Sequence, residues 1–253
     1  MVLPIQDTQE PLDVLLDQLR AEVRAADFDL YDVERRTRFD RVRDLLDVVD
    51  AAWSGEPFDV SGQHGRWRGH VTPAPFGNKR PELVMGAHGP RGLALAGQRA
   101  DLWLSDPQRH VDVVARLAGQ VRSAAAGRQV RIGLFRDAWI GDSRAECEKV
   151  LLPHALAVHR LYFNVGVYLE EFEPWVTQVR SRADFTPDLV APGRFLYGDG
   201  QGPRAEIAGW RERTGLEYLA LRLRQPGGPG HEATLTAIAR FGEEVIRPMG
   251  ETR

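Results

Sequence analysis

The sequence is nearly without cysteine and short of lysine. A single cysteine, Cys147, in 253 residues excludes an internal disulfide framework, and its setting in "SRAECEKV" reads as an incidental, partly buried thiol. No CxxC pair, HExxH or clustered His/Cys set is present, so the sequence offers no metal site. Lysine occurs only at Lys79 and Lys149; arginine supplies the rest of the 33 basic residues, and the formal net charge is -3. With a pI near 6.2 there is no electrostatic footprint for nucleic acid or an anionic membrane. No run approaches the roughly 18 apolar residues of a membrane span. The opening "MVLPIQDTQEPLDVLL" lacks the basic start and apolar core of a signal peptide. These absences leave the expectation of a soluble, cytoplasmic protein.

What is present is rhythm. Val2 to Ile5 reads as a short strand, and from Pro11 to Ala26 Leu12, Leu15, Leu16, Leu19 and Val23 recur at helical spacing. Phe39, Val42, Leu45, Leu46, Val49 and Trp53 form the stripe of a second helix that stops before Gly55. Glu56 to Arg80, with "PFDVSGQHGRWRG", reads as an irregular excursion or short hairpin. Strands are then expected at 81–85, 100–104, 130–140 and 216–223. Helices are expected at 91–99, 110–126, from Ser143 onward, at 204–214 and from His231 to about Val245. Gly92, Ala94, Ala96 and Gly97 make the helix at 91–99 thin enough to approach a neighbour closely. Strands alternating with helices of this length predict parallel α/β construction in a single domain, 1–253; periodicity does not tell an open sheet from a closed one.

The stretch "MGAHGPRGLALAGQRADLWL" places a short loop, Gly86, Ala87, His88 and Gly89, between a strand and a helix. Glycine admits backbone geometries closed to other residues and close approach of a ligand. A helix beginning near Pro90 aims its first free N–H groups at the loop, a setting suited to a phosphate, and Arg91 can add paired hydrogen bonds. A plain strand-to-helix turn is the competing account.

Other candidates are weaker. "GQHGRWRGH" puts His64 and Trp67 on an irregular segment able to border a substrate mouth. Asp137 and Trp139 lie inside a strand, where a charged residue suggests a mouth or a paired edge. "HRLYFNVGVYLEEFEPW" carries Tyr162 and Phe163 among five aromatics, suited to a wall over an apolar ligand or equally to core packing. "FLYGDGQGPRAEI" is a second glycine-rich loop, with Gly198 and Gly200, ahead of a helix. His110 and His231 read as ordinary first-turn residues, and no Ser–His–Asp or Cys–His set can be assembled by spacing.

Three of these stretches in order, residues 32–62, 72–104 ("TPAPFGNKRPELVMGAHGPRGLALAGQRADLWL") and 216–248 ("LEYLALRLRQPGGPGHEATLTAIARFGEEVIRP"), resemble the bacterial luciferase-like flavin monooxygenases. The resemblance implies a (β/α)8, TIM-barrel-like fold, shortened, because only residues 1–31 stand before the first matching stretch and leave room for one strand and one helix. It further implies a homodimer that binds reduced FMN or a deazaflavin, oxygenates an organic small molecule with O2, and receives its reduced flavin from a reductase. The phosphate would sit at Gly86, Ala87, His88, Gly89 and Arg91, with Gly198 and Gly200 near it. His64, Trp67, Asp137, Trp139, Tyr162 and Phe163 are the candidates for the substrate pocket. Two other readings stay open: a non-catalytic flavin- or small-molecule-binding protein of the same fold, and an enzyme without a flavin, such as a cyclase.

Overall fold

A computed structural model describes residues 28–250; the strand expected at Val2 to Ile5 and the helix expected at Pro11 to Ala26 lie outside them. The described residues divide into two compact units, 28–80 with Phe163–Val167, and Pro81–Tyr162 with 168–250.

The smaller unit carries helix α1 (Arg38–Ala52) and an antiparallel hairpin, β1 (Phe58–Ser61) and β2 (Arg66–Gly69), with Val60 opposite Trp67. The hairpin turn is held by Asp44 of α1, whose Oδ2 accepts the His64 N–H at 2.8 Å. Asp44 and Leu46 are the buried residues of α1, whereas Val42 and Leu45 of the expected apolar stripe are exposed. A Cβ on Gly62 would fall 2.3 Å from the Asp44 carboxyl carbon, which is why glycine stands there.

The larger unit is the parallel α/β body that the alternation predicts. In chain order it contains β3 (Val84–Met85), α2 (Pro90–Arg99), β4 (Leu102–Ser105), α3 (Val111–Ala124), β5 (Arg131–Ile140) and α4 (Arg144–Asn164). There follow α5 (Pro187–Val190), β6 (Phe195–Gly198), α6 (Gln201–Thr214), β7 (Leu216–Arg222), α7 (His231–Phe241) and, after a π turn, α8 (Arg247–Gly250). β3, β4 and β5 are parallel neighbours. β5 is long enough to pair twice more: Ile132–Asp137 with β7 and Asp137–Ile140 with β6, both parallel. Among the described residues these five strands form one parallel sheet in the order β3-β4-β5-β6, with β7 branching from β5, and no closed ring. β5 is buried on both faces nearly throughout, the situation that makes "RIGLFRDAWI" read as an apolar run rather than an alternation.

The core sits between this sheet and its helices. Leu93 and Ala96 of α2, Val114, Leu117 and Val121 of α3, Ile132 and Leu134 of β5, and Trp210 of α6 are all almost wholly buried. The small-residue face of α2 does what its sequence predicts. A Cβ on Gly97 would stand 2.4 Å from the Val121 carbonyl oxygen, so α2 and α3 meet backbone to backbone. α6 ends on Gly215 at φ 66°, the left-handed cap that glycine permits, and Arg122 of α3 donates to the Thr214 carbonyl there at 2.8 Å.

One expectation is corrected. Residues 195–207 do not form a loop throughout: Phe195–Gly198 is a fully buried strand, β6, and the helix after it begins at Gln201. The tetrapeptide is too short to show a period of its own beside three glycines.

Candidate functional site

The loop after β3 is built into the fold at both ends. Trp103, buried in β4, donates its indole N–H to the Ala87 carbonyl at 3.1 Å. His88 Nδ1 lies 3.0 Å from Asp106 Oδ2 in the loop after β4, and Asp106 Oδ1 accepts the backbone N–H groups of Gln108 and Arg109 at 3.1 Å each. Gly89 then caps α2 with no side-chain cap, and Pro90 occupies the first helical turn, where its missing N–H costs nothing.

Neither Gly86 nor Gly89 has a positive φ, contrary to the backbone freedom expected of them. Gly89 is extended, at φ -88° and ψ 162°. Its use is spatial: nothing lies within 4 Å of where its Cβ would be, and a Gly86 Cβ would meet only the Leu104 carbonyl at 3.8 Å. The space in front of α2 is therefore open, and a ten-residue helix directs its uncapped first-turn amides into it. His88, Gly89 and Pro90 form one side of a cavity of about 330 Å³ completed by Arg116, Leu117 and Gln120 of α3 and by Leu169, Glu171 and Phe172. Arg116 sits over the Phe172 ring at 5.3 Å, which keeps its guanidinium by the cavity on an apolar rest. This donor set, helix amides with histidine and arginine beside an apolar wall, fits a phosphate carried by a planar ring system.

The remaining sequence candidates separate. His64 and Trp67 belong to the hairpin of the smaller unit, with which Phe163 is also grouped. Gly198 ends β6 at φ 140°, and its carbonyl accepts Gly141 N–H at 3.2 Å. Gly200 has a packing reason, since its Cβ would come within 2.8 Å of Glu244. Trp139 lines a second, larger cavity. Asp137 is wholly buried at the centre of a polar cluster. Its Oδ1 accepts Arg222 Nε at 2.7 Å and the Gln225 amide at 2.6 Å. Its Oδ2 accepts Arg222 Nη2 at 3.1 Å and faces His159 Nε2 at 2.8 Å. On its other side His159 Nδ1 meets the Tyr168 hydroxyl, and Tyr162 lies edge-on to the ring with centroids 6.3 Å apart.

Burial alone would raise the Asp137 carboxyl, but the hydrogen bonds from His159 and Arg222 overcome it and hold the group below the usual carboxylate range. Burial pushes His159 down, partly offset by Asp137, and drives the Tyr168 phenol well up. The consistent state is an ionised Asp137, a neutral His159 with its proton on Nε2, and a Tyr168 that donates to Nδ1. On the opposite face of β5, Arg136 is fully buried and donates to the carbonyls of Asp106 and Arg109 at 2.9 and 3.1 Å; burial pushes it down to about 10. The two β5 side chains thus fasten the loops after β4 and β7 from opposite faces.

Sequence reasoning missed Asp106, Arg116, Phe172, His159, Arg222 and Gln225. The first had a signal in "SDPQRH", an Asp-Pro turn at a strand end. The Asp137 partners had none, being 22, 85 and 88 residues away. Among the described residues no group of His, Cys, Asp or Glu could hold a metal ion, and no helix is long and apolar enough to cross a membrane.

Comparison with known proteins follows the same lines. The family model for luciferase-like monooxygenases matches residues 21–217. A sulfoquinovose monooxygenase of Agrobacterium fabrum is 27% identical over 140 residues, 54% of this chain and 36% of that protein. Among solved structures, the FMN-complexed oxygenating constituent of 3,6-diketocamphane monooxygenase from Pseudomonas putida aligns with TM-score 0.60 and 16% identity, covering 81% of this chain and 61% of that one. The coenzyme F420-dependent tetrahydromethanopterin reductase of Methanopyrus kandleri aligns with TM-score 0.59 and 19% identity, covering 83% and 63%. At these identities the structures show a shared fold alone. The chain spans just over a third of the length of the sulfoquinovose enzyme and less than two thirds of either structure.

Proposed function

This chain belongs to the luciferase-like monooxygenases, and from that premise we propose that it seats the phosphate of a reduced flavin-type cofactor at the loop from Gly86 to Arg91 and acts on an organic small molecule. The observation that carries the reading is the open space before the uncapped α2 N-terminus, walled by His88, Arg116 and Phe172. The α2 amides and Arg91 would hold the phosphate and His88 would donate beside them, with the Asp106 carboxylate 3.0 Å from His88 Nδ1. The proposed seat leaves out Gly198 and Gly200.

When bound, the reduced cofactor supplies the electrons, and in the FMN case the means of activating O2 for transfer of one oxygen atom to the substrate. The chain's own work is to orient it and keep its phosphate from solvent. FMN is the first choice and a deazaflavin the second, since solved structures of similar fold include one with FMN and one described as F420-dependent. A reductase supplying reduced FMN, a homodimer and a cytoplasmic setting complete the proposal.

Anaerobic titration of the protein with oxidised and reduced FMN, followed by flavin absorbance, tests it. The expected result is saturable micromolar binding of reduced FMN, weakened about tenfold by Arg91→Ala or Arg116→Ala. No saturable binding of either form would end the flavin reading.

A further inference from the structure

A second cavity, about 550 Å³, lies elsewhere and shares no residue with the loop at 86–91. Trp139, Ile140 and Gly141 at the end of β5 form its floor, Lys149, Val150 and His154 of α4 one wall, and Ala233, Thr236, Ala237 and Arg240 of α7 the other. Gly228, Pro229 and Gly230 close it at the α7 N-terminus, which has no capping side chain. The volume is in the range of small-molecule sites, and the alanines of α7 keep it clear.

Its polar groups differ in how they are engaged. Arg240 is committed to Glu244, Asp142 and the Gly141 carbonyl, and Glu146 accepts the Asp142 N–H. Lys149, by contrast, has no ion pair among the described residues. Trp139 is only 7% exposed, yet its indole N–H has no hydrogen-bond acceptor among the described residues. That N–H is not among the enclosed, unpaired atoms as the Trp210 indole N–H is, and Trp139 lines the cavity. A donor that takes no acceptor within the chain is available to one from outside it.

We infer that this cavity is a binding site for a planar organic carboxylate, its ring against Trp139 and Val150 and its charge shared by Lys149, the Trp139 N–H and the first-turn amides of α7. The ligand is an acceptor only, which suits a set of donors. Its flat body suits the gap between two helices over a strand end. The site stands independently of the flavin reading.

Calorimetric titration with 2-naphthoate, and with 2-naphthamide as its uncharged counterpart, tests it. Saturable one-to-one binding of naphthoate is expected with Kd below about 1 mM and the amide at least about fivefold weaker. Lys149→Ala should remove that preference. Ala233→Leu, at an exposed helix position where the fold is not at risk, should fill the cavity and weaken naphthoate about tenfold. Saturating FMN should leave the naphthoate Kd unchanged. Absent binding, equal affinity for the two probes, indifference to Ala233→Leu, or displacement by FMN would each overturn the inference.

Discussion

His159 donates its Nε2–H to the Asp137 carboxylate at 2.8 Å, and solvent reaches neither side chain. Because Asp137 also takes two bonds from Arg222 and one from Gln225, it joins α4 and the loop after β7 to the middle of β5.

The pair gives stability a pH dependence with a definite sign. The folded-state His159 lies below its ordinary value, so below about pH 6.5 the unfolded chain takes up a proton at this residue that the folded chain refuses. Its contribution is complete above about pH 6.5 and is lost as pH falls, by up to ~1.4 kcal/mol per pH unit. Asp137, also depressed, adds a second loss below about pH 4. Urea unfolding of the wild type and His159→Gln between pH 5 and 7 should show a shallower slope in the variant. Parallel slopes would mean that His159 stays as basic folded as unfolded.

Removing Arg222 alone strands a buried charge. Arg222→Met should cost about 3–5 kcal/mol, the range for breaking one side of a buried ion pair. In the double variant Asp137→Asn/Arg222→Met, where no charge is left to strand, the loss should be well under the sum of the two singles. Denaturant midpoints for the four proteins measure the coupling; simple additivity would place Arg222 outside the cluster energetically.

What could be read from the sequence was local, and what could not was long-range. The helical spacing of α1 and the small residues of α2 carry their own periods, so both helices were legible, down to the reason for Gly97, although Val42 and Leu45 of the α1 stripe are exposed. β6 was not, because four buried residues ending in glycine look like the start of a turn. Gly200 illustrates the ambiguity of glycine: a residue kept small for Glu244 looks the same in sequence as one kept small for a ligand. Of the candidate site, the loop was visible because strand, glycines and helix start are contiguous. Arg116 and Phe172 were not, since each is placed by the tertiary fold, one on α3 and the other 83 residues after Gly89.

The contrast between Gly97 and Gly89 is itself testable. Gly97→Val drives a branched side chain into the Val121 carbonyl and the Ala124 methyl, and overpacking of this kind costs about 1–3 kcal/mol or more. Gly89→Ala meets nothing and should leave the melting temperature within about a degree, as surface changes of ±0.5 kcal/mol do. Equal Tm losses in the two variants would contradict the backbone contact between α2 and α3.

Because Gly89 leads the α2 amides, a charge placed there acts on a ligand's phosphate and not on its ring. Gly89→Glu puts a carboxylate at the positive end of the helix, where it favours the helix by about 0.3–1 kcal/mol while competing for the amides that a phosphate would use. FMN and riboflavin differ by that phosphate alone. Wild-type protein should therefore bind FMN at least about tenfold more tightly than riboflavin, as several charge-assisted hydrogen bonds imply, and Gly89→Glu should bring the two affinities together by weakening FMN only. Fluorescence titration with each flavin gives both ratios. If the wild type binds the two equally, or the variant keeps the full preference for FMN, the phosphate is held elsewhere and the loop from Gly86 to Arg91 is only a turn.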